Sequence, residues 1–565
     1  MAFEQYISRV LLESKLLTVQ QLNELALEKG DDDSKRIEQL AIEKGYITRA
    51  DLKTILKTKF DIDYVEVDTL KLDHELVNLV PEEVARRHNL VPYSDNAGVL
   101  RVAMENPFNP NVAQDLTIIT KRRVVIDMAS ASAISTALEK LYGKLTTDKA
   151  LEEFKADVSL NSALGDIDKN DSFDEQIDNA PIVKLVNSLI ERAVRDGASD
   201  IHIEPHSDDV VVRIRIDGML QELLRIPSNA HKAIIARVKI MANLNIAEKR
   251  IPQDGRFAVS MLGKNIDLRI STLPTVYGEK CVMRLLDRSS FLRDMNEIGF
   301  TEENIGIFRE IIHNPHGIVL VCGPTGSGKS TTLYTVLNEL NDVRVNITTV
   351  EDPVEFLMDG ITQTQVNEKA GMTFASGFRS ILRQDPDIIM VGEMRDEETV
   401  DIAVRAAITG HLVLSTIHTN DSVSTISRLV DMGVPNYMIA TAVVGIISQR
   451  LVRLLCPYCK EKHVITEEEK EHLNRKFPEG TEIYSPVGCE ACNYTGYKGR
   501  TAVHEIYKIG RNERNLINMG APVDKLRDEA IAAGMKTLLD ECCRLLLEGR
   551  TSLAEVVKTA YAQDT

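Results

Sequence analysis

One stretch of this chain, IVLVCGPTGSGKSTTLY, restricts its fold more than any other. An apolar run of the kind that makes a buried strand enters GxxxxGK[ST] at Gly323–Ser330, and a helix-forming run follows at once. Strand, glycine-rich turn and helix, in that order, let backbone N–H groups close around a polyphosphate. The expected nucleotide-binding set is Gly323, Pro324, Thr325, Gly326, Ser327, Gly328, Lys329, Ser330 and Thr331. Within it Lys329 reaches the β- and γ-phosphates, and the Ser330 hydroxyl is a ligand for Mg2+. ATP or GTP is the expected ligand. From Gly317 onward strand and helix patterns alternate, which predicts a parallel α/β core.

Hydrolysis also needs an acid on the magnesium side and a group that orients water. DPDIIMVGEMRD holds an apolar strand of the Walker B kind, but Gly392 stands where an aspartate is usual, which leaves Glu393 as the acid. Between the two motifs, TTVEDPVEF ends a strand with Glu351, Asp352 and Glu355, all expected at the nucleotide edge. Further on, ITGHLVLSTIHTNDS sets His411 and His418 at opposite ends of a short buried strand. In a parallel sheet ligands sit beyond the carboxyl ends of the strands, so His418 is expected to face the nucleotide and His411 to hold an interface.

The 565 residues suit about four domains. Two similar segments, from Leu16 and from Tyr46, each read as a helix capped by a threonine, Thr18 or Thr48, and give a helical tandem over 1–65. Residues 66–143 mix strand runs with a closing helix and read as α+β. DIDKNDSFDEQID carries six acids against one lysine, so 144–178 reads as a flexible linker. Alternating strands over 179–300 frame a middle domain, and 301–565 form the ATPase domain. MIATAVVGII from Met438 is far shorter than the ~20 residues that span a bilayer, and the N-terminus lacks the pattern of a secretory signal. A cytoplasmic protein that meets membranes through partners is expected. Sixty-seven basic against 85 acidic side chains, net −18, argue against nucleic acid as a partner.

Cys281, Cys322, Cys542 and Cys543 lack metal-like spacing and read as small buried hydrophobes. CPYCK and CEAC differ: Cys456, Cys459, Cys489 and Cys492 form two CxxC pairs separated by residues 460–488. Four thiolates so spaced suit a closed tetrahedral zinc site, with two redox dithiols as the competing reading.

Walker A, TVEDPVEF, GEMRD and TGHLVLSTIHTND, in that order, resemble the four ordered boxes of the secretion and pilus ATPases. ASDIHIEP, RIRIDG, PQDGRF and DLRISTLPT look like the middle domain of the same family. The resemblance runs from about Ala180 to the C-terminus and, more weakly, over 66–143. It implies a RecA-like P-loop domain, a PAS-like α+β middle domain and a tetracysteine zinc subdomain at about 453–498. It further implies a homohexameric Mg2+-dependent ATPase acting on an inner-membrane platform protein. By the same resemblance Glu355 activates water, Glu393 acts through Mg2+, and His411 and His418 form the box on the γ-phosphate side. Arginines of the middle domain become candidate fingers, Arg269 and Arg284 first, then Arg213 and Arg256. The cysteine site and the long N-terminal region resemble the pilus extension and secretion motors rather than the retraction motors. The extension motor of type IV pili is the nearest match, the type II secretion ATPase the rival within the family, and a DNA-translocating RecA-like motor the rival outside it.

Pilus-branch members carry an MshEN-like tandem, RLGxxLVxxGxI, that binds cyclic di-GMP. RIEQLAIEKGYI keeps Arg36 and Gly45 but has Glu38 for the first glycine, and YISRVLLESKLL departs further. The helical fold is expected to survive these changes, with a partner-docking role preferred over nucleotide binding.

Overall fold

A computed structural model describes residues 11–29, 40–142, 180–287 and 293–560, less positions 13, 15, 42, 43, 45, 68, 69, 71, 74, 75, 97, 108, 109, 132, 136, 139, 140, 474 and 476. The expected linker 144–178 and the candidate ligand residues Arg36 and Gly45 lie outside the described residues.

The N-terminal tandem contains the helices Val19–Lys29 and Arg49–Phe60. Thr48 Oγ1 accepts from Asp51 N while Asp51 Oδ2 accepts from Thr48 N, a reciprocal cap that meets two of the free donors of the first turn. Thr18 and Gln21 repeat the arrangement. Leu11, Leu17, Leu25, Leu52 and Leu56 share one buried cluster. In the α+β unit, β1 (Leu90–Asn96) pairs antiparallel with β2 (Val99–Met104). The helix Pro110–Thr120 then returns the chain to β3 (Arg123–Met128), parallel to β2.

In the middle domain, β4 (Asp200–Pro205), β5 (Asp209–Ile216), β6 (Met219–Pro227), β7 (Gln253–Met261), β8 (Lys264–Thr275) and β9 (Gly278–Asp287) form one sheet in the order β6-β5-β4-β9-β8-β7. All its pairs are antiparallel. Side chains alternate between faces. Ile201, Ile203, Val212, Ile214, Leu268 and Met283 share a core with the helices Ala180–Arg195 and His231–Met241. The register places Arg256, Arg269, Arg284, Asp200 and Arg215 opposite one another in a single row across five strands.

The motor domain carries β10 (Gly317–Cys322), β11 (Ile347–Glu351), β12 (Thr362–Gln365), β13 (Ile388–Val391), β14 (Leu412–Ile417) and β15 (Val443–Leu455). The short hairpin β16 (Glu461–Val464) and β17 (Glu482–Ser485) follows, then β18 (Tyr497–Lys508). The main sheet runs β12-β11-β13-β14-β10-β15-β18, parallel up to β15 and closed by antiparallel β18. Every residue of β10 and β14 is buried, as a sheet covered by helices on both faces requires. The apolar run from Met438 divides between the helix Asn436–Ala442 and β15. Among the described residues no helix is long and apolar enough to cross a membrane. The cysteine element is an excursion from the β15–β18 pair: the chain leaves after Leu455 and returns at Tyr497, which are partners in register.

Candidate nucleotide site and metal centre

Cys322 ends β10 opposite Ile417 of β14, so Gly323 and His418 leave neighbouring strands at the same level. Gly323, Gly326 and Gly328 all have φ between +79° and +143°, which a side chain would strain. The helix Lys329–Leu340 starts at the loop and aims its N-terminal amides at the phosphate position. Lys329 Nζ bonds Gly323 O at 2.8 Å and Pro324 O at 3.0 Å, so the ammonium already lies inside the loop. Burial lowers its pKa below the ordinary lysine value, against the pull of Cys322 and Glu393 and with the charge of Arg450 adding to the fall.

Beyond β13, Glu393 pairs with Arg395 at 2.5 Å and lies 3.5 Å from His418 Nε2. The strand-polarity argument thus sets His418 beside the Walker B acid. His411 sits at the other end of β14, where its N and Nδ1 meet Ala406 O and close the helix Glu397–Ile408. A Cβ at Gly392 would face the neighbouring strand in ordinary contact, 3.4 Å from Glu351 Cα and 3.5 Å from Val350 O.

Glu355 is held by Arg269 of the middle domain, whose Nη1 donates to Oε1 at 3.2 Å and whose Nη2 donates to Oε2. The helix that begins at Lys329 supplies Tyr334, whose hydroxyl accepts from Glu355 N at 3.2 Å and Phe356 N at 3.4 Å and donates to Glu351. That bond corrects one expectation. Glu351 is buried, bonded to Tyr334, Thr349 and Gln363, and does not face the nucleotide edge. Its acceptor capacity is spent within the fold. Arg284 stands beside Arg269 in the cross-strand row but bonds Asp200 at 3.1 Å, and Arg213 bonds Glu204 at 2.7 Å. Arg256 is exposed. Tyr334 and Gln449 support the site without belonging to any motif, and no local sequence signal marks them.

The Sγ atoms of Cys456, Cys459, Cys489 and Cys492 lie within 4.8 Å of one another, with three of the separations at 3.8 Å. Four thiolates at ~2.3 Å from a central zinc lie about 3.8 Å apart in a tetrahedron. The donor set therefore fits zinc. Gly488 N donates to Cys459 Sγ, and Cys489 N and Gly496 N to Cys492 Sγ. Burial pushes the Cys492 thiol up, but these two donors together with the Cys489 and Cys459 thiols outweigh it and bring it down to about 7, favouring the thiolate. Cys281, Cys322, Cys542 and Cys543 are buried, as small apolar groups are.

The family described as "Type II/IV secretion system protein" matches residues 175–558, and the MshEN domain matches 60–148. The chain belongs to the type II/IV secretion system protein family. The type IV pilus assembly ATPase PilB of Myxococcus xanthus is 41% identical over 98% of this chain and 98% of its own. The type II secretion system protein E of Dickeya dadantii is 43% identical over 79% and 90%. The ATPase DotB of Yersinia pseudotuberculosis shares the fold, with a TM-score of 0.51 at 20% identity over 67% of this chain and 93% of that one. As a family member with an intact phosphate loop, this chain is an ATP hydrolase of the secretion and pilus class. The MshEN match covers the α+β unit rather than the helical tandem that carries Arg36 and Gly45.

Proposed function

We propose that this chain is the cytoplasmic ATPase that powers type IV pilus assembly, working as a homohexamer that moves an inner-membrane platform protein. The observation that carries the pilus reading is the correspondence with PilB along 98% of both chains, N-terminal units included. In this reading the loop Gly323–Thr331 holds ATP, and Ser330 and Glu393 hold Mg2+, which neutralises charge on the β- and γ-phosphates when bound. Glu355 takes the proton of the attacking water. His418, beside Glu393, registers the γ-phosphate side. Arg269 leaves Glu355 for the phosphates when the middle domain shifts, with Arg284 as its neighbour in the row.

Deletion of the gene with complementation tests the branch: loss of surface pili with protein secretion intact is expected. Loss of secretion with pili intact would install the second reading, a type II secretion ATPase, which the identity to the Dickeya protein favours. For the chemistry, purified protein with Mg2+ and ATP should release phosphate, and DNA should not stimulate it. The N-terminal tandem is read as a docking unit for a partner, with a cyclic di-GMP site at Arg36 and Gly45 as its alternative. Titration with cyclic di-GMP tests the alternative, and absence of binding removes it.

A further inference from the structure

Gln449 is the one buried side-chain amide that reaches the phosphate loop from beneath among the described residues. It lies on β15 one position past Ser448, the partner of the last residue of β10, and is 2% exposed. Its Nε2 donates to Ser327 O at 2.9 Å, and its Oε1 accepts from Thr332 Oγ1 at 2.6 Å. Reversing the amide would set oxygen against the Ser327 carbonyl, so only this orientation satisfies both contacts. The loop glycines make room for it. A Cβ on Gly328 would stand 2.8 Å from Gln449 Nε2, and one on Gly323 2.5 Å from Gln449 O.

The Ser327 carbonyl and the Gly328 N–H belong to one planar trans peptide unit, so the two groups point in opposite directions. Drawing the carbonyl down toward β15 turns the N–H up into the loop, where it faces a phosphate. We propose that Gln449 is a positioning residue for nucleotide binding, acting through the Gly328 N–H. Thr332, on the first turn of the following helix, orients the amide in turn. The inference rests on the phosphate loop being the ATP site.

Equilibrium binding of a fluorescent ADP analogue with Mg2+ to the full chain tests it. Gln449→Met keeps length and removes both hydrogen bonds, and binding should weaken about tenfold to a hundredfold, the cost of losing one donor to a charged group. KM for ATP should rise more than kcat falls. Gln449→Glu is the sharper variant, because it keeps an acceptor for Thr332 and sets a second oxygen against Ser327 O. It should bind poorly at pH 8 and recover toward the wild-type value at pH 6, as the buried carboxyl takes up a proton and donates it to Ser327 O. Binding by Gln449→Met within twofold of wild type, or a Gln449→Glu defect equal at both pH values, overturns the role of Gln449. Lys329→Ala separates this from the reading beneath it: if Lys329→Ala binds as wild type does, the loop is not the site and both ideas fall.

Discussion

At the scale of single residues, the four boxes differ in how far their neighbours decide what they do. The positions of Lys329, Glu393 and His418 were legible because each follows from a local motif and from the polarity of a strand. Glu351 was misread for the opposite reason. Its burial depends on Tyr334, which comes from a different element. Glu355→Gln should lower turnover by about 10²- to 10⁴-fold, the range for a lost general base, and leave ADP affinity unchanged; steady-state phosphate release beside nucleotide titration checks this. His504 supplies a second test. It is fully buried, stacked on Phe300 at 3.7 Å between ring centroids, and its pKa is lowered by burial to about 3. The unfolded chain therefore binds a proton between that value and the ordinary ~6.5 that the folded chain refuses. Stability from this group is complete above pH 6.5 and falls by at most about 1.4 kcal/mol per pH unit below it. Denaturant titrations of the wild type and of His504→Leu should show the steeper loss between pH 6.5 and 5 in the wild type.

At the scale of elements, period-two and period-3.6 patterns gave the strands and helices, and the paired threonine caps gave the N-terminal tandem. What periodicity does not carry is pairing across distance. β15 meets β18 only after the whole cysteine excursion, and nothing in either strand announces its partner. The excursion has its own support. Leu455 N bonds Arg550 O at 2.8 Å, Cys456 N bonds Gly496 O at 2.9 Å, and the Arg453 guanidinium lies 3.9 Å over the Tyr497 ring while bonding Glu555. A structural zinc contributes ~10–16 kcal/mol in small peptides, so metal removal should act locally and strongly. Metal analysis should find about one zinc per chain, lost in Cys456→Ser with Cys489→Ser. Chelation should abolish hydrogen-exchange protection in the cysteine element while β10 and β14 keep theirs. An equimolar iron signal would remove the zinc assignment.

At the scale of the whole molecule, the contacts that join the middle-domain sheet to the motor among the described residues include two polar ones. One is Arg269 on Glu355. The other is Asp217, in the β5–β6 turn, which accepts from Gly499 N at 2.8 Å and Arg500 Nε at 3.1 Å at the start of β18. The candidate arginines of the middle domain could be named from motifs, but their alignment in one row, and which of them meets the motor, could not, because these depend on strand register and docking. The Asp217–Arg500 pair is partly exposed, so its worth is at most about 1 kcal/mol. Asp217→Arg and Arg500→Asp should each slow ATP turnover about two- to fivefold, and the double swap should restore it; failure of the rescue would show that the pair does not set the docking. The same corner of the fold has a consequence for architecture. Because the chain departs and returns at two residues already side by side in the sheet, the cysteine element is topologically a detour: excising it for a tight turn would leave strand order, register and the nucleotide cleft untouched, and grafting it onto a shorter motor would need only one open hairpin.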